Sequence, residues 1–398
     1  MDGSEQRNSD RRCYQPRLND DEVMNPSFPN PTYAKKRTGF SLVELMLAMT
    51  MGLIVVAGIV QLFVDSSRTY NLVSGQSRMQ ESARYALDFI SRASRNAGHI
   101  GCAPEMENIV RGLRGTWELI PEFNLTQNVE GFEGNDNGTW TPPLTALPRS
   151  EGGVDLNVHT PGNGIDTSLI TSGTDVVVFR TVQYPGQRLM TVLQPDGDPV
   201  VSAPGGDPGF GVGDVVLISD CEQGAMIRVT GLNVAGNQAT LLHATAATGS
   251  FYENSDVVDG PIGSVPATLS FLGHSYGEEA SVGVVRTTIF FIAPSTEANS
   301  QGVVPAALWL KEGIGAPVEL VQGVEDLEMH YGIDTTLTDG ISNANQYVDF
   351  DDVPDPDQIV SVRSTVTVNS VEAVTDDGQL LRRTFSQTIL VRNTQPEA

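Results

Sequence analysis

The sequence predicts an α+β protein: one long N-terminal helix, apolar enough at first to span a membrane and amphipathic later, then a β-rich domain with long loops. Three observations carry this reading. Residues 40–64 hold one ionisable side chain, Glu44, in 25 positions. Between residues 72 and 97, Leu72, Met79, Ala83, Ala86, Leu87, Ile90 and Ala97 recur at helical spacing, with Arg78, Glu81, Arg84, Asp88 and Arg92 mostly between them. Beyond residue 99, short β-branched runs alternate with stretches rich in Gly, Pro and Asn.

The apolar segment comes first. As a helix, its 25 residues would extend about 38 Å, enough for a hydrocarbon core of roughly 30 Å with some tilt. A cleaved secretory signal fits poorly, because the run is too long and QLFVDSSR supplies no small-x-small site. A plain anchor leaves Glu44 unexplained, since a carboxylate within a bilayer costs roughly 2.5–3.5 kcal/mol on insertion scales and needs a partner. Lys35, Lys36 and Arg37 before the span keep the N-terminus cytoplasmic and put everything after Asp65 outside, which in a Gram-negative cell is the periplasm. The amphipathic pattern then runs to about residue 97, where Gly98 is a helix stop. One helix over about 41–97 is therefore expected, with Gly52, Gly58 and Gly75 each softening it.

After the helix, strands are expected at 175–181, 214–219, 226–230, 239–243, 284–292, 307–310, 327–331, 359–368 and 385–391, and extended loops at 103–170 and 244–280. Composition limits the partners. The 398 residues carry 24 Lys+Arg against 49 Asp+Glu, a net charge of −25, which excludes nucleic acid or an anionic membrane surface as the main partner. Three Cys (13, 102 and 221) exclude a disulfide-dense scaffold and a four-Cys zinc site.

Basic residues, then Gly39-Phe40-Ser41-Leu42-Val43-Glu44-Leu45, then an apolar run, resemble the class III signal of type IV prepilins. The resemblance implies cleavage between Gly39 and Phe40 by a prepilin peptidase and N-methylation of Phe40. It also implies that Glu44 neutralises the new amine of a neighbouring subunit during assembly. It divides the chain into a leader at 1–39, a transmembrane and filament-core helix at 40–64, an amphipathic continuation at 65–98, and a β-rich periplasmic pilin domain at 99–398 on which the helix packs. The leader is unusual: six acids and four Arg precede Met24, which opens a 16-residue leader with three basic and no acidic residues. Met24 is therefore read as the start, the preceding residues being a gene-calling extension or a cytoplasmic tail. Cleavage removes Cys13 and a leader charge of 7 − 6 = +1, leaving about −26 on 398 − 39 = 359 residues.

Further along, RMQESARYALDFISRASRNAGHIGC, DVVLISDCEQGAMIRVT, ELVQGVEDLEMHYGID and RRTFSQTILVRN resemble the PilW group of minor pilins. That resemblance implies pilus assembly at an initiation or tip complex, in support of motility and adhesion. The implied partners are other minor pilins, the major pilin, a tip adhesin, the prepilin peptidase and the inner-membrane assembly platform. It implies no enzyme activity and no cofactor. J-like pseudopilins of type II secretion share the leader and remain the nearest alternative. Cys102 and Cys221, both on the oxidising side, read as a disulfide closing a loop of about 120 residues, and the PilW resemblance also places Cys at both positions.

Other motifs are less specific. Gly273-His274-Ser275-Tyr276-Gly277 matches the nucleophile elbow of hydrolases, which makes a periplasmic serine hydrolase a third alternative. However, the segment after it turns β-branched where a helix is required, and only His330 comes later than Ser275. Gly205–213 is Gly-rich but leads into a strand, and the five His are scattered. Glu133, Asn135 and Asn137 imitate the start of a calcium loop whose twelfth position is Leu144, which cannot ligate. Asp349, Asp351, Asp352, Asp355 and Asp357 crowd nine residues, a candidate calcium site if they are not merely solvated.

Overall fold

The computed structural model describes residues 39–101, 109–113, 123–144, 167–244, 254–259, 272, 274–313, 315–336, 343–375 and 377–392. The leader through residue 38, with Cys13 and Met24, and also Cys102 and Gly273, lie outside them. The fold is α+β. Helix α1 (Leu42–Asn96) is followed by β1 (Ile109–Leu113), β2 (Val129–Gly134), β3 (Trp140–Thr141), β4 (Val176–Gln183), β5 (Val200–Ser202), β6 (Val215–Ser219), β7 (Gly224–Arg228), β8 (Gly231–Ala235) and β9 (Gln238–Leu242). Then come β10 (Asn254–Asp259), β11 (Ser281–Pro294), β12 (Ala306–Glu312), β13 (Val318–Gln322), β14 (Val324–Ile333), β15 (Gln346–Val348), β16 (Ile359–Asn369) and β17 (Arg382–Leu390).

The chain divides into two units, residues 1–62 and 63–398. In the first, every described side chain from Gly39 to Leu62 is exposed. In the second, α1 continues and buries Gly75, Met79, Ala83, Ala86, Ile90 and Ser94, at steps of three and four. The helix ends where expected: Gly98 takes a positive φ of 73°, and its amide donates to the Arg180 carbonyl at 2.9 Å. Gly75 behaves differently from expectation. A Cβ there would press on Val374 and Ser370 at 3.3–3.4 Å, so this glycine admits the 370–374 segment against the helix rather than simply softening it.

The strands form three sheets. A ten-stranded sheet runs β10-β1-β7-β6-β11-β4-β2-β3, with β12 and β13 joined through β11. Four strands pair as β15-β14-β16-β17 and three as β5-β9-β8. Among the described strands, all pairings are antiparallel except β1 with β7. At 14 residues, β11 is long enough to pair with β6, β4 and β12 along its length. One core lies between the buried face of α1, the four-stranded sheet and one face of the larger sheet, joining Ile90 with Val129, Phe290, Leu327, Tyr331 and Val366. A second surrounds the three-stranded sheet, including Val201, Ile227, Leu241 and Tyr276.

The nine expected strands are present, several longer than predicted. The regions read as loops are corrected: 103–170 contains β1, β2 and β3, and 244–280 contains β10. In β2 the sequence VEGFEG hides its alternation, because Gly131 occupies an inward position where a side chain would strike Tyr331.

Arg180 tests the core electrostatics. Its side chain is 2% exposed and pairs with Glu130 at 2.5 Å, while a second nitrogen donates to the Gln127 carbonyl at 2.9 Å. Removing one partner of a buried pair costs about 3–5 kcal/mol, because the other charge stays buried. Glu130→Ala is accordingly expected to lower stability by about 3 kcal/mol, read as a shift in denaturant midpoint. An unchanged midpoint would show that Arg180 is satisfied by its other contacts.

Candidate functional site

The N-terminal features fall on a single exposed apolar surface. Phe40 precedes α1 and is 82% exposed, and Glu44 is in the helix's first turn. An 18-residue window of this helix has a mean hydropathy of 2.4 with none of it buried. An apolar surface of this size is unfavourable in water at roughly 25 cal/mol per Å², so the segment requires lipid or other apolar helices around it. The carboxylate of Glu44 sits at the helix N-terminus, where the dipole favours negative charge.

Cys221 occupies the turn between β6 and β7 at a positive φ of 72°. The chain on either side of position 102 lies near this turn. Tyr184 donates from its hydroxyl to the Ile100 carbonyl at 2.8 Å. Tyr184 also hydrogen-bonds Ser281, which faces Ser219, two residues before Cys221. Beyond position 102, Ile109 pairs with Gly224, just after the same turn.

The elbow around Ser275 is not built. Ser275 is exposed, Tyr276 makes an isolated bridge to Leu193, and residues 277–279 turn directly into β11 with no helix between. His274 instead pairs with Asp220 at 2.9 Å. The Gly205–213 run is a set of turns at positive φ leading to β6. The stretch from Asn135 to Gly138 closes the β2–β3 hairpin, with Leu144 buried in the core nearby.

Acidic side chains converge elsewhere than in the Asp-rich run. Asp351, Asp352, Asp355 and Asp357 are exposed along two 3-10 turns, Phe350–Asp352 and Pro356–Gln358, and the Asp355 carboxylate caps the second by accepting from the Asp357 amide at 3.0 Å. The five do not come together as one site. Glu133, Asp175 and Glu328 do: a ligating oxygen from each lies within 4.8 Å of the others. At an effective dielectric near 20, each fully ionised pair at that spacing repels by about 3 kcal/mol. Burial is the largest cause raising all three, followed for Glu133 and Glu328 by the Asp175 charge, while backbone hydrogen bonds partly offset it in Asp175. Glu133 is pushed up to about 8, Glu328 to about 7 and Asp175 to about 6. Asp349, paired with His330 at 3.5 Å, adds its charge to all three.

Neither Asp175 nor Glu328 stands out in the sequence. Each sits within a strand pattern, 42 and 195 residues beyond Glu133, so local spacing carries no trace of the cluster. Only the register of β2 with β4, and the meeting of β4 with β14, unites them.

A long exposed apolar N-terminal helix that continues into a β-rich domain defines a type IV pilin-like protein, anchored in a membrane by its N-terminus. A family model described as the prokaryotic N-terminal methylation motif matches residues 34–60, and one described as type IV pilus-assembly protein W matches residues 289–393. Over those two stretches the chain is similar to type IV pilins, and the second match supports the PilW family in particular. No curated protein and no solved structure matches it.

Proposed function

We propose that this protein is a minor pilin acting in the initiation or tip complex of a type IV pilus, supporting pilus biogenesis, twitching motility and adhesion. The carrying observation is the PilW match at 289–393 together with a methylation motif on a helix whose apolar part through Leu62 is wholly exposed. In this reading a prepilin peptidase cuts between Gly39 and Phe40 and methylates Phe40. The protein then stays in the inner membrane with its C-terminal domain in the periplasm. The helix later leaves lipid for the filament core, meeting other minor pilins and the major pilin, with the assembly platform and a tip adhesin as further partners. Deleting the gene is expected to reduce surface pili and leave secretion intact. Normal piliation with a secretion defect would instead identify a pseudopilin.

Glu44 is the residue that distinguishes an assembling subunit from an anchored domain. The helix dipole contributes at most about 1 kcal/mol in its favour, less than the roughly 2.5 kcal/mol cost of burying the carboxylate in lipid. The Phe40 amine of a neighbouring subunit is the partner that offsets the remainder. Glu44→Ala is expected to insert and be processed normally yet enter the pilus roughly tenfold less, the equivalent of about 1.4 kcal/mol. Wild-type pilus counts with normal incorporation of the variant would refute both pairing and recruitment by this residue.

A further inference from the structure

We propose that Glu133, Asp175 and Glu328 form a binding site for a hard divalent cation of the size of calcium, at the junction of the ten-stranded and four-stranded sheets. The register Val129↔Phe179, Gly131↔Val177 continues to place Glu133 opposite Asp175 on the same face of the β2–β4 pair. Asp175 is held rigidly. Its amide donates to the Leu327 carbonyl at 2.8 Å, Oδ2 accepts from the Met329 amide at 2.7 Å, and Oδ1 accepts from the Gly134 amide at 3.0 Å. Glu328 lies between the two β14 residues bonded to Asp175, so the same contacts that join the sheets deliver the third carboxylate.

The donor set favours the ion. Three carboxylates that each bring an oxygen within 4.8 Å of the others are a hard, all-oxygen set, which suits calcium with its roughly six to eight oxygen ligands better than magnesium, which dehydrates reluctantly and keeps most of its waters. Each Asp175 oxygen has spent one acceptor site on an amide and keeps another for a cation.

A buried hydroxyl gives a second, independent indication of a ligand. Tyr331 is 1% exposed, and its hydroxyl has no hydrogen-bond partner among the described residues. It lies directly over Gly131, where a Cβ would overlap it, one cross-strand pair along the same face from Glu133 and Asp175. A hydrated cation held by the three carboxylates supplies the water this hydroxyl lacks. The Asp349 charge, which reaches all three carboxylates, strengthens the attraction.

The test uses the full-length protein in detergent, with calcium titrated against chelator-treated samples by calorimetry and thermal unfolding. The wild type is expected to bind one calcium ion and unfold at a higher temperature with it. Glu133→Gln and Glu328→Gln are each expected to weaken calcium binding tenfold or more. Chelator-treated, both variants should be at least as stable as the wild type, because each removes a repelling charge. Tyr331→Phe should weaken binding by a smaller factor, and the double variant Asp352→Asn/Asp357→Asn should bind as the wild type does. The proposal is overturned if millimolar calcium produces neither heat nor a thermal shift, or if the response survives in both Gln variants. Loss of the response in the Asp352/Asp357 variant alone would also overturn it, by assigning the ion to the exposed turns.

Discussion

Gly39→Val is expected to leave the full precursor in the membrane and abolish its entry into pili. Glycine immediately before Phe40 would leave the backbone free of a side chain where the peptidase must grip it, and a Cβ at Gly39 meets nothing within 4 Å among the described residues. Any block therefore arises in the peptidase's site, not from misfolding. The β-branched replacement also restricts the backbone at the scissile bond. The readout is the mass of the membrane-bound protein. Wild type should begin at methylated Phe40, and the variant should retain residues before it. Mature wild-type protein that begins beyond the apolar span would contradict the leader assignment itself.

Removing either cysteine of the proposed Cys102–Cys221 pair is expected to have the largest effect on stability. Pairing Cys102 with Cys221 closes a loop of about 120 residues, and the loop-entropy relation puts the constraint at about 4–5 kcal/mol. Domain stabilities are typically about 5–15 kcal/mol, so Cys221→Ser should remove a large share and lower the unfolding temperature by on the order of 10 °C. Cys102→Ser and the double Ser variant should match it, because either change opens the same loop. The pairing draws support from both flanks of position 102: Ile100 is held by Tyr184, and Ile109 by Gly224 beside the Cys221 turn. Two alkylatable thiols in protein exported to an oxidising periplasm would refute it, as would a Cys221→Ser variant with unchanged stability.

The long helix was legible because its signals are local. Glu44 alone among apolar residues, the stripe from Met79 to Ala97 and the stop at Gly98 each need only a few neighbours in sequence to be read. The β-branched runs such as 284–292 and 359–368 were legible for the same reason: burial on both faces selects Val, Ile and Phe wherever the strand lies in the chain. The pattern fails where glycine or a short strand replaces that signal. Gly131 looks like a loop residue, yet it is a strand position kept empty for the Tyr331 hydroxyl.

The acidic residues mark the sharper division. Density along the chain drew attention to Asp349 through Asp357, but Asp351, Asp352, Asp355 and Asp357 lie exposed to solvent on two short turns, and Asp355 caps its own turn. Convergence requires strands from distant parts of the chain. Sequence by itself determined the membrane-length helix, the motif around Gly39 to Glu44 and the β-rich character of the domain beyond the helix, since each depends on composition and period over a few turns or strands. Tertiary structure alone decided that Glu133, Asp175 and Glu328 meet, because cross-strand register and two hydrogen bonds between Asp175 and the β14 backbone, one donated by its amide and one accepted by its carboxylate, bring together groups that no sequence spacing relates.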